Sequence, residues 1–388
     1  MLRFTTAGES HGRALVTILE GMPAGVPLSA RDIDTQLARR QQGYGRGRRM
    51  QIEQDTVELL SGVRAGETIG SPIAMLIRNR DWENWAGIMD PARAEADNTR
   101  VMRPRAVTRP RPGHADLAGM LKYDRDDARD ILERASARET TSRVAAGAAC
   151  RRLLAELGVT VGSHLVELGG VKAAPIDPLP DDIDEASDTS PLRTLDPEAE
   201  KQMVALIDHA KRNGDTLGGI CEIVCRGLPV GLGSHVSWDR RLDARIAAAM
   251  MSIPAIKGVE IGSGFDAARR RGSEVHDEIR PGLTRSSNRA GGIEGGMTNG
   301  EPVVVRVAMK PISTLMRPLA TVEMQTGEEA TAVAERSDVT AVPAMGVIAE
   351  AMLAFVAANA FTEKFGGDSL GELKRNLRGY LDQISRDR

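Results

Sequence analysis

The sequence predicts an α+β fold, one large sandwich-type domain of β-α-β form with helices packed between sheets. Three observations predict it. Strand pairs are separated by single helices, with β-like runs on both sides, the pattern of an α/β or α+β domain. No clear linker interrupts the chain. The acidic stretch 174–196 is the one candidate and reads as a surface insertion, so residues 1–388 are expected to form a single domain. Finally, 388 residues with 41% hydrophobic and 27% charged side chains suffice for a core. Aromatics are only 3%, so Ala, Val, Ile, Leu and the 16 Met must fill it.

The elements follow in order. Residues 2–6 read as a strand, 8–12 as a Gly-rich turn and 14–20 as a second strand. Ser29, with Asp32 three residues later, resembles a capping box that opens a helix to about residue 40. Residues 57–63 and 73–77 have strand composition, and 80–113 are loop-like, with Trp82, Trp85 and several prolines. A helical region over about 124–157 contains a second capping box, Ser136-Ala137-Arg138-Glu139, where a break is expected. A helix that starts there would favour a bound anion through its free N–H groups and dipole. A strand over 159–166, a helix over 197–212, a strand over 219–228 and a helix over 239–252 come next. Residues 259–261 form a short strand, 262–300 mostly loop and 303–309 a strand. Pro343 opens an amphipathic helix to about residue 361, and the last two dozen residues are either a short helix or a frayed tail.

Composition excludes several classes. No run of about 18 uncharged apolar residues occurs, so no membrane span is expected. The N-terminus lacks a charged segment followed by an apolar run, so no secretion signal is expected. Cys150, Cys221 and Cys225 are too few for a disulfide framework, and the last two alternate with apolar residues as core thiols do. The expected address is the cytoplasm. Net charge is −3, which argues against a nucleic-acid coat. Charge is nevertheless patterned. RRQQGYGRGRR at 39–49 and RVMRPRAVTRPRPGH at 100–114 each hold five arginines and no acid, and read as anion-binding loops.

Two motifs mislead. GSGFDA at 262–267 matches a dinucleotide pattern, but the glycine at 272 leaves no room for the helix that the pattern requires. The arginine-glycine tract at 43–49 resembles an RNA-binding segment, yet Tyr44 is its lone stacking aromatic. The six histidines show no HxxxH or HExxH spacing, so no metal site is supported. Two of them have chemical settings. His11 lies in a Gly-bounded turn, and His114 ends the second arginine run, where a nearby dianion would keep it protonated as a general acid. GGIEGG at 291–296 suggests close backbone approach to another group. Lys310-Pro311-Ile312-Ser313-Thr314 sets a cation and two hydroxyls at a strand end, suited to a phosphate. Arg336-Ser337-Asp338 is either a cap or a ligand-facing pair.

Taken together, GESHG at 8–12, RRQQGYGRGRR at 39–49, RPGHAD at 111–116 and RASARET at 134–140 resemble the chorismate synthase family. So do MMSIPAIKGVEIGSGFD at 250–266, NRAGGIEGG at 288–296, KPIST at 310–314 and RSDVTAVPAMGVIAEAML at 336–353. The resemblance covers nearly the whole chain, and Pro254 stands where the family often has a polar residue. It implies a lyase that converts 5-enolpyruvylshikimate 3-phosphate to chorismate and phosphate by anti 1,4-elimination, with reduced FMN (FMNH2) as cofactor. Two carboxylates and two phosphates bring roughly six negative charges, which the arginine runs would meet. By position, Arg40, Arg46, Arg49, Arg111 and Arg138 would hold substrate. Arg40 and Arg46 would also receive a nicotinamide nucleotide, with NADPH as the ultimate reductant. Arg134, Ala135, Ser136, Pro254, Ala255, Gly295, Lys310, Pro311, Ile312, Ser313, Thr314 and Arg336 would contact the flavin. His114 would protonate the leaving phosphate. His11, supported by Ser10, would protonate or orient the flavin, Ser136 would assist, and Asp338 would act near flavin N5 in removing the ring proton. The family also implies a homotetramer and, for so compact a chain, an external flavin reductant.

Overall fold

The structure is a computed structural model and describes residues 1–46, 54–91, 105–333 and 338–385. Arg48, Arg49, Arg100, Arg103 and Arg336 lie outside the described residues, so the roles expected of Arg49 and Arg336 are not addressed.

Two antiparallel sheets flank a layer of helices, which is the α+β sandwich. The first sheet runs Arg3–Ala7, Ala14–Glu20, Ile73–Arg78, Val57–Leu59. The second runs Ile256–Ile261, Val303–Met309, Gly219–Arg226, Thr160–Leu168, Val171–Lys172. Alternation in Gly219–Arg226 turns Cys221, Ile223 and Cys225 to the core, as their period of two requires. Burial pushes the thiols of Cys150, Cys221 and Cys225 up to about 12, which leaves them inert.

Three helices fill the space between: Ala30–Gln41, Thr140–Ala155 and Val342–Phe365. Helix Thr140–Ala155 is built largely of Ala, Gly, Ser and Thr on its buried side, so helix Val342–Phe365 approaches it closely. A Cβ on Gly147 would lie 2.4 Å from Ala351 Cβ. Helix Val342–Phe365 is long and apolar enough to cross a membrane, but 89% of its most apolar window is buried inside the fold, and Glu350 sits at its centre. It is a core helix, buried on nearly every side rather than amphipathic as the sequence suggests.

The caps behave as their chemistry dictates. Asp32 accepts from the Ser29 N–H at 2.8 Å and from its hydroxyl at 2.6 Å, and helix Ala30–Gln41 begins there. The break at Ser136 is also present, with extended backbone (ψ 143°) between helix Arg129–Ala135 and the 3-10 turn Ala137–Glu139. Only half of that second box forms. Ser136 Oγ accepts from Arg138 N at 3.2 Å, whereas Glu139 turns to Arg143 at 2.9 Å.

Several expectations need correcting. The helical region around 124–157 opens earlier, as Asp116–Tyr123, and is interrupted at Asp124, whose φ of 53° stops the helix. The C-terminal segment is a helix, Leu370–Ser385. The acidic stretch is not simply surface: Ile183, Ser187, Leu192, Arg193 and Thr194 are buried, because its carboxylates are needed by arginines below. Asp184 and Asp188 bind Arg39 at 2.8 and 2.6 Å. Arg39 thereby leaves the anion-binding run for a buried network, in which it also meets Glu350 at 2.7 Å.

Candidate active site

The first hairpin carries the GESHG turn at one end of the first sheet. Gly8 begins it with φ 106°, and a Cβ there would lie 2.3 Å from Ala14 O, so no other residue fits. Asn79, the residue after strand Ile73–Arg78, holds the turn from below by donating to Gly12 O at 2.7 Å and Glu9 O at 3.2 Å. Asn79 is itself fixed by Arg138, whose Nε and Nη2 donate to its Oδ1 at 3.0 and 2.8 Å. Arg138 Nη1 reaches Asp55 at 2.6 Å. The buried Arg138, expected to grip substrate, also ties Asn79 and Asp55 into the frame of the site.

Helix Arg129–Ala135 docks its end on this turn. Ser10 N donates to Glu133 O at 2.9 Å, and the Ser10 and Ser136 hydroxyls are 3.2 Å apart. His11 Nδ1 lies 2.9 Å from both oxygens of the Glu133 carboxylate, which also takes the His11 N–H at 2.9 Å and Arg129 Nη1 at 2.9 Å. Burial opposes the charge on Glu133, but the bonds from His11 and Arg129 prevail and hold its carboxyl below the ordinary value. The His11 ring stacks on Trp85 with centroids 3.8 Å apart. Arg134 anchors the same turn through Gly8 O at 3.0 Å and Thr6 Oγ1 at 2.6 Å.

His114 has a parallel arrangement. Its Nδ1 lies 2.5 Å from Asp116 Oδ1, while Arg111 Nε donates to Asp116 Oδ2 at 2.8 Å. Burial would raise the Asp116 pKa, yet its hydrogen bonds from His114 and Arg111 and their charges drive it well below the carboxylate range. Arg111 Nη1 continues to Thr314 Oγ1 at 3.0 Å, and Lys310 Nζ donates to Gly113 O, so the KPIST loop closes on the histidine loop. Ile312 O accepts from Thr216 Oγ1 at 2.7 Å, and Gly218 leaves room for Pro311, since a Cβ there would lie 2.9 Å from Pro311 N. Ser313 faces Gly113, its Cβ 3.6 Å from where a Gly113 Cβ would stand.

Lys310 also links the loop to Ala255, another residue expected to contact a flavin, its N–H donating to Ala255 O at 3.0 Å. Ala255 takes φ 71° to make that turn. Arg134, Ala135 and Pro254 line one groove of about 420 Å³ with Phe4, Thr6, Glu139, Arg143, Ser252 and Met352. Its walls mix apolar surface with the Arg134 and Arg143 guanidinium groups and the Glu139 carboxylate, and its size is that of a small-molecule site. Those residues fit a ring-bearing phosphate ester such as FMN. Nearby, Arg40 lies buried with Nε 3.0 Å from Thr140 Oγ1 and Nη2 2.9 Å from Ala137 O. Arg46 Nε lies 3.1 Å from Asp338 Oδ2, and burial lowers the Arg46 pKa in spite of that carboxylate.

Gly295 is set apart. With Gly296 it forms the turn of the hairpin Ile293–Glu294 and Met297–Thr298, where Gly296 O caps the start of helix Leu242–Met251. Pro254 follows the other end of that helix, about 15 Å along its axis by helical rise. The sequence reading missed Glu133, Asp55, Asn79 and the Trp85 wall. The Arg129–Glu133 spacing of four on one helix was a signal for Glu133; for Asn79 and Asp55 none stands out.

Fold and site together have the features of an enzyme: two histidines, each held by a buried carboxylate, and a small-molecule-sized groove lined by Arg134 and Arg143. The family model described as chorismate synthase matches residues 2–362. The chain is 59% identical to the chorismate synthase of Symbiobacterium thermophilum, across 99% of this chain and 100% of that one. It is 58% identical to that of Mycolicibacterium smegmatis, across 99% and 98%. A crystal structure of chorismate synthase superposes with TM-score 0.77 at 45% identity, covering 99% of this chain and 98% of the other. The chain belongs to the chorismate synthase family.

Proposed function

We propose that this chain catalyses the anti 1,4-elimination of phosphate from 5-enolpyruvylshikimate 3-phosphate to give chorismate, with reduced FMN bound in the groove of Arg134, Ala135 and Pro254. The observation that carries the reading is the pair of carboxylate-held histidines, His11 on Glu133 and His114 on an Asp116 that it shares with Arg111. What reduced FMN contributes when bound is transient electron density for an electron-poor ring.

The chain's own residues do the rest. Arg111, fixed by Asp116 and Thr314, presents a planar cation to carboxylate or phosphate. Arg40 and Arg46 add charge, and serve as the place for a nicotinamide nucleotide if NADPH is the ultimate source of electrons. His114 gives a proton to the departing phosphate, and Asp116 stabilises its imidazolium. Asp338, paired with Arg46, takes the ring proton. His11 and Ser10, with Ser136 beside them, protonate and orient the cofactor. Lys310 and Thr314 close the pocket and exclude water. The active form is a cytoplasmic homotetramer served by an external flavin reductant, a reading that rests on the family.

The decisive experiment is anaerobic. Enzyme, dithionite-reduced FMN and the enolpyruvyl substrate are mixed, and phosphate and chorismate are measured together. Equal amounts of both are expected, and oxidised FMN gives neither. Absence of product with reduced FMN overturns the lyase reading, and a monomer by light scattering overturns the tetramer.

A further inference from the structure

We infer that Glu133 is a positioning residue for His11: it fixes the ring's orientation and holds a proton on Nδ1, so that Nε2 does the chemistry. The inference rests on the proposed reading for what His11 does, and on the geometry alone for what Glu133 does.

The contacts exceed what a stabilising ion pair needs. Arg129 Nη1 at 2.9 Å, four residues away on the same helix, already balances the Glu133 charge. The carboxylate nevertheless also receives the His11 backbone N–H and sets both oxygens 2.9 Å from Nδ1. An ionised carboxylate only accepts hydrogen bonds, so Nδ1 must carry the proton in either charge state of the ring. The backbone contact and the Ser10 N–H to Glu133 O bond fix the turn to the helix end, which sets where the imidazole begins. Trp85 fixes its plane by stacking at 3.8 Å and 25°. That wall is itself held, with its Nε1 donating to Asp81 at 2.9 Å. Arg105 and Arg129 lie over it at 4.7 and 5.1 Å. Position, plane and proton are therefore each determined by a separate contact.

The test pairs NMR with kinetics on the full chain. Nitrogen-15 spectra of labelled histidine, with His11 assigned through His11→Gln, are recorded against pH for wild type and Glu133→Gln. Neutral wild-type His11 is expected as the Nδ1–H tautomer. In Glu133→Gln, whose amide can donate to the ring as well as accept from it, part of neutral His11 takes the Nε2–H tautomer. The kcat of that variant falls, while KM for substrate changes less than about twofold. Glu133→Asp restores part of the Nδ1–H population. A neutral wild-type ring protonated on Nε2, or the same tautomer population in wild type and Glu133→Gln, overturns the inference. The wild-type spectrum decides even if the variant fails to fold. An inactive wild type removes the lyase reading, and the NMR result still judges Glu133.

Discussion

His114 and Arg111 share one carboxylate, and that sharing separates their expected defects. Asp116 orients the ring through Nδ1 and the guanidinium through Nε, so each side chain has a fixed direction at no further entropic cost. His114→Ala is expected to lower kcat on the order of 10- to 1000-fold, the range for a lost general acid, with KM little changed. Arg111→Lys keeps the charge but loses the planar fork. Its KM for substrate should rise by about 10- to 100-fold, the equivalent of one or two charge-assisted hydrogen bonds, with a smaller drop in kcat. Steady-state kinetics with saturating reduced FMN distinguishes the two, and equal effects on kcat from both would refute the division. His11, His114 and Arg111 were legible in the sequence because each stands in a short motif whose neighbours constrain it. The spacing of Glu133 from Arg129 marks an ion pair, but its partnership with His11 was not legible, since it reaches across 122 residues and only the docking of a helix on a turn brings them together. The partners of Arg138 were hidden for the same reason: its residue type suits an anion, but Asn79 and Asp55 arrive from the first sheet and the loop before it.

Helix contacts make a second set of predictions. Thr140–Ala155 and Val342–Phe365 pack so closely at Gly147 that an added methyl would meet Ala351 Cα at 2.5 Å and its carbonyl oxygen at 2.6 Å. Gly147→Ala gains helix propensity of up to about 1 kcal/mol, but overpacking costs about 1–3 kcal/mol and main-chain atoms cannot yield as a flexible side chain would. Net destabilisation is expected. Gly379 in helix Leu370–Ser385 is the control, with nothing within 4 Å of its would-be Cβ. Gly379→Ala should stabilise by up to about 1 kcal/mol. Urea unfolding of both variants checks the opposite signs. The helix starts at Ser29 and near Pro343 were readable from a cap and a proline, which are local. The stop at Asp124 was not, because a left-handed non-glycine residue leaves no mark in the periodicity.

Across the whole molecule, one buried ionic network joins parts far apart in the chain. Glu350, fully buried in the central helix, accepts from Arg39 at 2.7 Å, Arg151 at 2.8 Å, Arg193 at 2.9 Å and Ser163 at 2.6 Å. Asp184 binds Arg39 and Arg151 from the acidic stretch. Charge runs in a sequence give sign and number but not partner, so the acidic stretch reads as a surface insertion and the first arginine run as an anion-binding loop, whereas Arg39 of that run is the partner of Asp184 and Asp188. The network has a pH consequence. Burial opposes the Glu350 charge, but Arg39, Arg193 and Arg151 overcome it and hold the pKa well below the ordinary 4.5. A carboxyl depressed on folding contributes stability that is fully present above its unfolded pKa and lost as pH falls through the folded one. Asp116, Glu133 and Glu222 act in the same direction, while Asp34 and Asp184, raised by burial, act against it. Stability should therefore decline below about pH 4.5, the region where unfolded carboxylates begin to bind protons. Glu350→Gln keeps the shape but leaves three arginines short of a counter-charge, which should cost about 3–5 kcal/mol at neutral pH. The same change removes one titrating group, so the urea midpoint of the variant should fall less steeply on acidification. A Glu350→Gln midpoint equal to wild type at pH 7, or an acid slope as steep as wild type, would show that the arginines are balanced by other groups.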